Sequence, residues 1–84
     1  MFQTYMLKLR DGSFYTGHTN NLQRRLEEHN HGKGSRYVKG RRPFTLIYTE
    51  VFETRQKAAK REVQIKKMPL EMKKALARSW VKAP

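Results

Sequence analysis

The chain has 84 residues, and its 19 Lys and Arg outnumber seven Asp and Glu to give a formal net charge of +12. So short a chain is predicted to form a single domain, here residues 1–80 followed by a frayed tail at 81–84. The sequence contains no cysteine, which excludes disulfides and thiolate metal sites, and it shows no apolar run typical of a signal peptide or membrane span. A cytoplasmic location is expected.

The N-terminal segment predicts a β-hairpin. Residues 4–9 alternate between apolar and polar faces, which is the period-two pattern of a half-buried strand. Asp11-Gly12 is a strong hairpin-turn signal, and residues 13–17 suit a second strand. Tyr5 and Tyr15 are therefore expected to face each other across the hairpin.

A helix and a basic loop are predicted next. Asn20 is placed to cap a helix over residues 20–31, with Gln23 completing a capping box and Gly32 ending it. Three glycines and a proline punctuate residues 32–43, which we predict to be a loop. Its length indicates a functional role rather than a bare connection.

The C-terminal half predicts one strand and two helices. Residues 44–52 are the most apolar stretch, so we expect them to lie deep in the sheet. Thr54 caps a helix over residues 55–67, and Pro69 occupies the first position of a last helix over 69–80. Apolar residues at helical spacing mark the inner face of that last helix: Met72, Leu76 and Trp80.

The predicted element order is β-β-α-β-α-α, which is an α/β chain of the α+β type. If all strands are antiparallel, a helical crossover joins strands two and three, and strand one fits between them. We therefore expect a small three-stranded antiparallel sheet in the order 2-1-3, flanked by helices.

The positive charge points to a polyanionic partner, because so basic a surface repels itself and attracts phosphates. Nucleic acid is favoured, and an anionic membrane surface or no charged partner at all are the weaker alternatives. The expected contacts lie in the basic loop and one turn beyond Glu62: Lys33, Arg36, Tyr37, Lys39, Arg41, Arg42 and Lys66. Tyr37 is equally suited to stack on a base and to anchor the loop.

Among the seven carboxylates, Glu62 interrupts an apolar helix face. On a helical wheel it falls between Ala58 and Ile65. Buried acids are rare unless they are paired or bind a metal, so a catalytic or divalent-cation role and a structural ion pair both stay open. Lys66, one turn later, is placed to pair with Glu62 or to contact a phosphate.

On the first helix, Arg25 and His29 lie at the edge of the apolar stripe formed by Leu22 and Leu26. Spacing alone favours a solvated arginine whose stem covers the core, although its planar fork also suits a phosphate. For His29, spacing favours a residue stabilised by the C-terminal end of the helix dipole. The remaining histidines, His18 and His31, show no metal-ligand spacing.

Three motifs together resemble the GIY-YIG nuclease domain, most like its short stand-alone bacterial members. The resemblance covers about residues 3–78. The motifs are Tyr5-x9-Tyr15-Thr16-Gly17, then Asn21-Leu22-Gln23-Arg24-Arg25-x3-His29, then Ala58-x3-Glu62-x3-Lys66.

The resemblance implies a metal-dependent endonuclease that hydrolyses phosphodiester bonds in DNA repair or recombination, with DNA favoured over RNA. It implies that Glu62 holds one Mg²⁺ or Mn²⁺ and that Arg25 stabilises the transition state. Tyr5, helped by His29 or Tyr15, would position or deprotonate the attacking water.

The sequence departs from the family pattern at three places. Gln3-Thr4-Tyr5 replaces Gly-Ile-Tyr, Thr16 replaces a central Ile, and no Asn follows the glutamate helix. The alternatives are therefore a nucleic-acid-binding module that cleaves weakly or not at all, and an adaptor with a nuclease-like fold. A monomer is favoured, and specificity is expected from the basic loop or from a protein partner.

Overall fold

A computed structural model describes residues 1–80 of the chain. The predicted tail at 81–84 lies outside the described residues. No helix in the described part is long and apolar enough to cross a membrane. The elements in chain order are β1 (Phe2–Leu9), β2 (Phe14–Thr19), α1 (Leu22–Asn30), α2 (Arg36–Lys39), β3 (Phe44–Phe52), α3 (Arg55–Lys66) and α4 (Leu70–Ser79).

The strands form one antiparallel sheet in the order β2-β1-β3. This confirms the predicted sheet order and pairing, with one addition to the layout, the short helix α2. In the hairpin, Tyr5 pairs with Gly17 and Leu7 pairs with Tyr15. Tyr5 and Tyr15 are therefore diagonal neighbours rather than direct partners, and their ring centroids lie 6.4 Å apart.

The two faces of β1 carry two separate hydrophobic clusters, because successive side chains of a strand point to opposite faces. On one face Tyr5, Leu7 and Leu9 pack with Val38, and side chains of α1 cover them. On the other face Met6 packs with Ile65, and side chains of α4 cover it. The helices α1 and α2 thus lie on one side of the sheet, and α3 and α4 lie on the other.

β3 is an edge strand, so the expectation that residues 44–52 lie deep in the sheet is wrong. β1 takes the centre because it pairs on both sides. Tyr48 is buried, but Val51 is 51% exposed. The strand is apolar for another reason: Leu46 contacts one cluster while Ile47 contacts the other.

The basic segment is more ordered than the predicted loop over 32–43. It contains α2, which Ser35 caps by accepting a hydrogen bond from the amide of Val38. Val38 is fully buried and ties the segment to the α1 side of the sheet. A helix of four residues is too short to produce a periodic pattern in the sequence.

Three predictions at helix ends are wrong. Asn21 rather than Asn20 caps α1, because its side chain is the one that accepts a hydrogen bond from the amide of Arg24. Pro69 is the cap of α4 instead of its first helical residue. Met72 is 54% exposed and lies outside the cluster that Leu76 and Trp80 join, so it does not belong to the inner face of α4.

Replacing Ile65 by Ala is expected to lower the free energy of unfolding by about 2–5 kcal/mol, because it leaves a cavity between α3 and the sheet. Val63 on the same helix is 49% exposed, and Val63→Ala is the matched control, with a change of about 0.5 kcal/mol or less. Urea denaturation followed by circular dichroism measures both. Equal losses in the two variants would contradict the assigned inner face of α3.

Candidate active site

The centre of the site is a buried hydrogen bond between Tyr5 and His29. The Tyr5 hydroxyl lies 2.7 Å from His29 Nε2. Tyr5 is 1% exposed and His29 is fully buried. Tyr5 belongs to the central strand and His29 to the last turn of α1, so the packing of α1 on the sheet brings them together.

Aromatic rings surround His29. Tyr15 meets the imidazole edge-on with 5.3 Å between ring centroids, and Phe44 does so at 6.2 Å. Tyr37 stacks on Tyr15 at 6.5 Å, and the Arg41 guanidinium lies 3.7 Å from the centroid of the Tyr37 ring. The loop tyrosine is therefore joined to the site through Tyr15, while its own side chain stays 41% exposed.

Two glycines make room for the hydrogen-bonded pair. A Cβ atom at Gly17 would lie 2.7 Å from the Tyr5 hydroxyl, and one at Gly34 would lie 2.6 Å from His29 Nδ1. Cβ atoms in proteins essentially never approach other atoms so closely. A side chain at either position would therefore displace one of the two rings. Gly17 is the glycine of the second motif, whereas the sequence did not single out Gly34.

The protonation states of the pair follow from burial. Burial, together with the nearby Tyr15, raises the pKa of the Tyr5 hydroxyl. Burial and the Arg25 charge lower the pKa of His29. Both groups are thus neutral near pH 7. The Tyr5 hydroxyl then donates to Nε2, which leaves the hydrogen on Nδ1, an atom with no hydrogen-bond partner within residues 1–80.

Arg25 lies at the edge of the inner face of α1, where the helical wheel places it. Its side chain is 36% exposed, whereas Arg24 is fully on the outer side. Arg25 Nε lies 3.7 Å from Glu28 Oε1, which is a loose ion pair. Its positive charge lowers the pKa of both Tyr5 and His29, so it acts on the same pair.

Glu62 lies on the inner face of α3, and its side chain is 18% exposed. Its Oε1 is 2.7 Å from His18 Nδ1, and its Oε2 is 2.7 Å from Lys66 Nζ. Burial opposes ionisation, but the hydrogen bonds from Lys66 and His18 outweigh it and hold the pKa of Glu62 below its usual value. The structural ion pair, one of the two alternatives for Glu62, is thus present between Glu62 and Lys66. His18 also contacts the carboxylate.

His18 contacts Glu62, although its spacing in the sequence gives no sign of a site residue. The predicted second strand ended at residue 17, but β2 continues to Thr19, so the side chain of His18 points to the α3 side of the sheet. Phe14, Thr16 and His18 alternate along the strand, and this spacing is the sequence signal that places His18 on the same face as the other two. The negative charge of Glu62 also raises the pKa of Tyr5, so the carboxylate acts electrostatically on the buried pair.

Glu62 provides the carboxylate oxygens with which the expected divalent cation would be bound. The described residues contain no group of three or more His, Asp or Glu side chains able to hold a metal ion. Mg²⁺ commonly binds through one or two carboxylates, with water and substrate phosphates completing its shell. Glu62 fits this role if Lys66, which is 52% exposed, withdraws from Oε2.

The side chains predicted to contact nucleic acid divide into two groups. Lys33, Arg36 and Lys39 are exposed and make no side-chain hydrogen bond or ion pair with any residue from 1 to 80. Arg41 pairs with Asp11 at 3.0 Å, and Arg42 donates to the carbonyls of Asn30 and Lys39. Arg41 and Arg42 therefore hold the basic segment in place, just as Lys66 is held by Glu62.

Known proteins resemble the chain in sequence and in fold. A family model described as the GIY-YIG catalytic domain matches residues 1–75. A UPF0213 protein of Halobacterium salinarum is 43% identical over 76 residues, which cover 90% of this chain and 99% of that protein. Another from Clostridium perfringens is 46% identical over 79 residues, covering 94% and 85%. The solution structure of a UPF0213 protein from Bacillus halodurans has a TM-score of 0.59 at 37% identity, covering 93% of this chain and 84% of that one.

Stability is expected to fall as the pH drops below about 6.5, the usual histidine value. Because the pKa of His29 is lowered only in the folded protein, the unfolded chain takes up the proton first. The stability that neutral His29 contributes is complete above its pKa in the unfolded chain. It is lost as the pH falls towards its lower pKa in the folded protein. Urea denaturation at several pH values across this range measures the slope of the free energy of unfolding against pH.

The slope should disappear in His29→Gln, whose amide preserves a hydrogen bond to Tyr5, and should persist in His31→Gln, which alters an exposed histidine beside the same helix. A slope that survives His29→Gln unchanged would show that another group causes it.

Proposed function

The chain belongs to the GIY-YIG catalytic-domain family, a family of nucleases, and on that premise we propose that it is a metal-dependent endonuclease that hydrolyses phosphodiester bonds of nucleic acid. The observation that carries the proposal is the 2.7 Å hydrogen bond between the Tyr5 hydroxyl and buried His29. It joins a hydroxyl to a neutral base near Arg25, whose ion pair with Glu28 is loose, and this arrangement suits general-base attack on a phosphate.

Tyr5 is proposed to accept a proton from the attacking water while it passes its own proton to His29 Nε2. Burial raises the pKa of Tyr5, so a free phenolate does not form at neutral pH. His29 is neutral and 2.7 Å away, so the relay needs no separate phenolate. The positive charge that develops on His29 is offset by the negative charge of the bound phosphate.

The phosphate is proposed to lie between Arg25 and Glu62. The Arg25 guanidinium donates to the non-bridging oxygens and stabilises the charge that grows there as the water oxygen bonds to phosphorus and the leaving oxygen departs. A Mg²⁺ or Mn²⁺ ion held by Glu62 would neutralise charge on the phosphate and the leaving oxygen. Tyr15 supports the site by packing edge-on against His29.

The nucleic acid backbone is proposed to follow the basic segment. Lys33, Arg36 and Lys39 are exposed without a partner in the described chain, which suits contacts to phosphates. Tyr37 joins this segment to Tyr15 and offers an exposed ring to a base. We propose DNA as the substrate, a monomer as the acting form, and this segment or a partner protein as the source of specificity.

One observation favours a second function, a nucleic-acid-binding module that cleaves weakly. Both oxygens of Glu62 are engaged, one by His18 and the other by Lys66, each at 2.7 Å. A cation must displace the Lys66 ammonium from its position before it can use both oxygens. If that displacement is unfavourable, the fold binds nucleic acid without efficient hydrolysis.

Glu62→Ala and Arg25→Ala are each expected to slow cleavage by on the order of 10²–10³-fold, because each removes a charge that stabilises the transition state. DNA affinity should change little, since the exposed lysines and arginines provide most of it. Fluorescent branched, nicked and single-stranded DNA with Mg²⁺ or Mn²⁺ provides the assay. The matched controls are Glu53→Ala and Arg24→Ala, which alter exposed residues of the same types.

Cleavage that persists in both Glu62→Ala and Arg25→Ala would contradict the proposed site. Salt-dependent binding by the wild type with no cleavage under any metal would favour the binding module. Absence of salt-dependent binding would favour an adaptor role.

A further inference from the structure

We infer that His18 is a second metal ligand, which forms with Glu62 a nitrogen–oxygen pair that prefers Mn²⁺ to Mg²⁺. The inference rests on the proposed function, since that function places a divalent cation at Glu62. It adds a ligand from β2 that lies outside the motifs on which the family resemblance is built.

The first support is the distance between the two donor atoms. His18 Nδ1 lies 2.7 Å from Glu62 Oε1, and the side chains are 25% and 18% exposed. Two neighbouring ligands of an octahedral ion, each bound at 2.0–2.1 Å, are separated by roughly 3 Å. A cation can therefore replace the proton that the two atoms share with only a small movement of either side chain.

The second support is the rigidity of the backbone beneath the pair. His18 pairs with Thr4 across the β1–β2 ladder. The hydroxyl of Thr4 is fully buried and donates a 2.7 Å hydrogen bond to the carbonyl of Ala58, one turn before Glu62. Thr4 thus fixes β1 to α3 and holds the strand of one ligand against the helix of the other. A preorganised pair binds a cation with less loss of side-chain entropy.

Lys66 is the competitor that a metal ion meets at the carboxylate. Lys66 Nζ lies 2.7 Å from Glu62 Oε2, on the oxygen that His18 does not contact. The two residues are one turn apart on α3, so the ammonium reaches Oε2 and leaves Oε1 to His18. Lys66 is 52% exposed on a flexible stem, so it competes with a metal ion but can withdraw into solvent.

Ligand chemistry determines which ion the pair selects. Mg²⁺ is a hard cation that takes oxygen ligands almost alone. An imidazole nitrogen adds affinity for divalent transition-metal ions. Mn²⁺ binds such ligands the most weakly of that series, but it is a transition-metal ion and Mg²⁺ is not. His18 should therefore strengthen the binding of Mn²⁺ and leave that of Mg²⁺ nearly unchanged.

Electron paramagnetic resonance of free Mn²⁺ measures binding of the ion alone to the full chain, and competition by Mg²⁺ gives the second affinity. His18→Ala should weaken Mn²⁺ binding by about tenfold or more, and that of Mg²⁺ by less than about twofold. His31→Ala, at an exposed histidine, should change neither. Lys66→Met should tighten the binding of both ions, because it removes the competing ammonium.

The variant His18→Asn distinguishes two roles of His18, direct ligation of the metal ion and positioning of Glu62. Its amide can donate to Glu62 Oε1 as Nδ1 does, but it is a poor ligand for Mn²⁺. Loss of Mn²⁺ affinity equal to that of His18→Ala supports direct ligation. Wild-type Mn²⁺ affinity in His18→Asn, or equal losses for both ions in His18→Ala, would overturn the inference.

The inference and the proposed function can fail separately. If Mn²⁺ binding depends on His18 and Glu62 but the wild type never cleaves nucleic acid, the site stands and the endonuclease proposal fails. If cleavage requires Glu62 while His18→Ala binds Mn²⁺ like the wild type, the endonuclease proposal stands and the inference fails.

Discussion

A buried hydroxyl and a buried imidazole need hydrogen-bond partners, and the arrangement of this small protein depends on one such contact, between Tyr5 and His29. Tyr5 must lie on the central strand, and α1 must pack against that face. Gly17 and Gly34 must lack side chains, since each touches one member of the pair. Burying polar groups costs stability, and Nδ1 of His29 has no hydrogen-bond partner in the described chain, so the buried imidazole lowers the stability that the hydrogen bond to Tyr5 provides.

The edge strand β2 connects the two halves of the proposed site. Successive residues of a strand point to opposite faces, so Gly17 lies against the Tyr5 hydroxyl while His18 holds Glu62 on the α3 side. Tyr5 and His29 thus contact β2 from one side of the sheet, and Glu62 contacts it from the other. The basic segment is joined to the Tyr5–His29 side, because Tyr37 stacks on Tyr15.

The sequence predicts well what depends on local periodicity. Alternation in residues 4–9 identifies β1 as a strand, and helical spacing places Glu62 on the inner face of α3. It predicts poorly what depends on contacts distant in the chain. Burial of His29 results from Gly34 and the rings of Tyr15 and Phe44, none of which helical spacing can reveal. His18 was missed because its partner lies 44 residues away.

The most direct test of the account is a double-mutant cycle on single-turnover cleavage with Tyr5→Phe, His29→Gln and the two combined. Residues that act as one proton-transfer unit are not additive. The account predicts that the double variant cleaves no more slowly than the slower single variant. Rate losses that multiply in the double variant would show that Tyr5 and His29 act independently, and would contradict the relay.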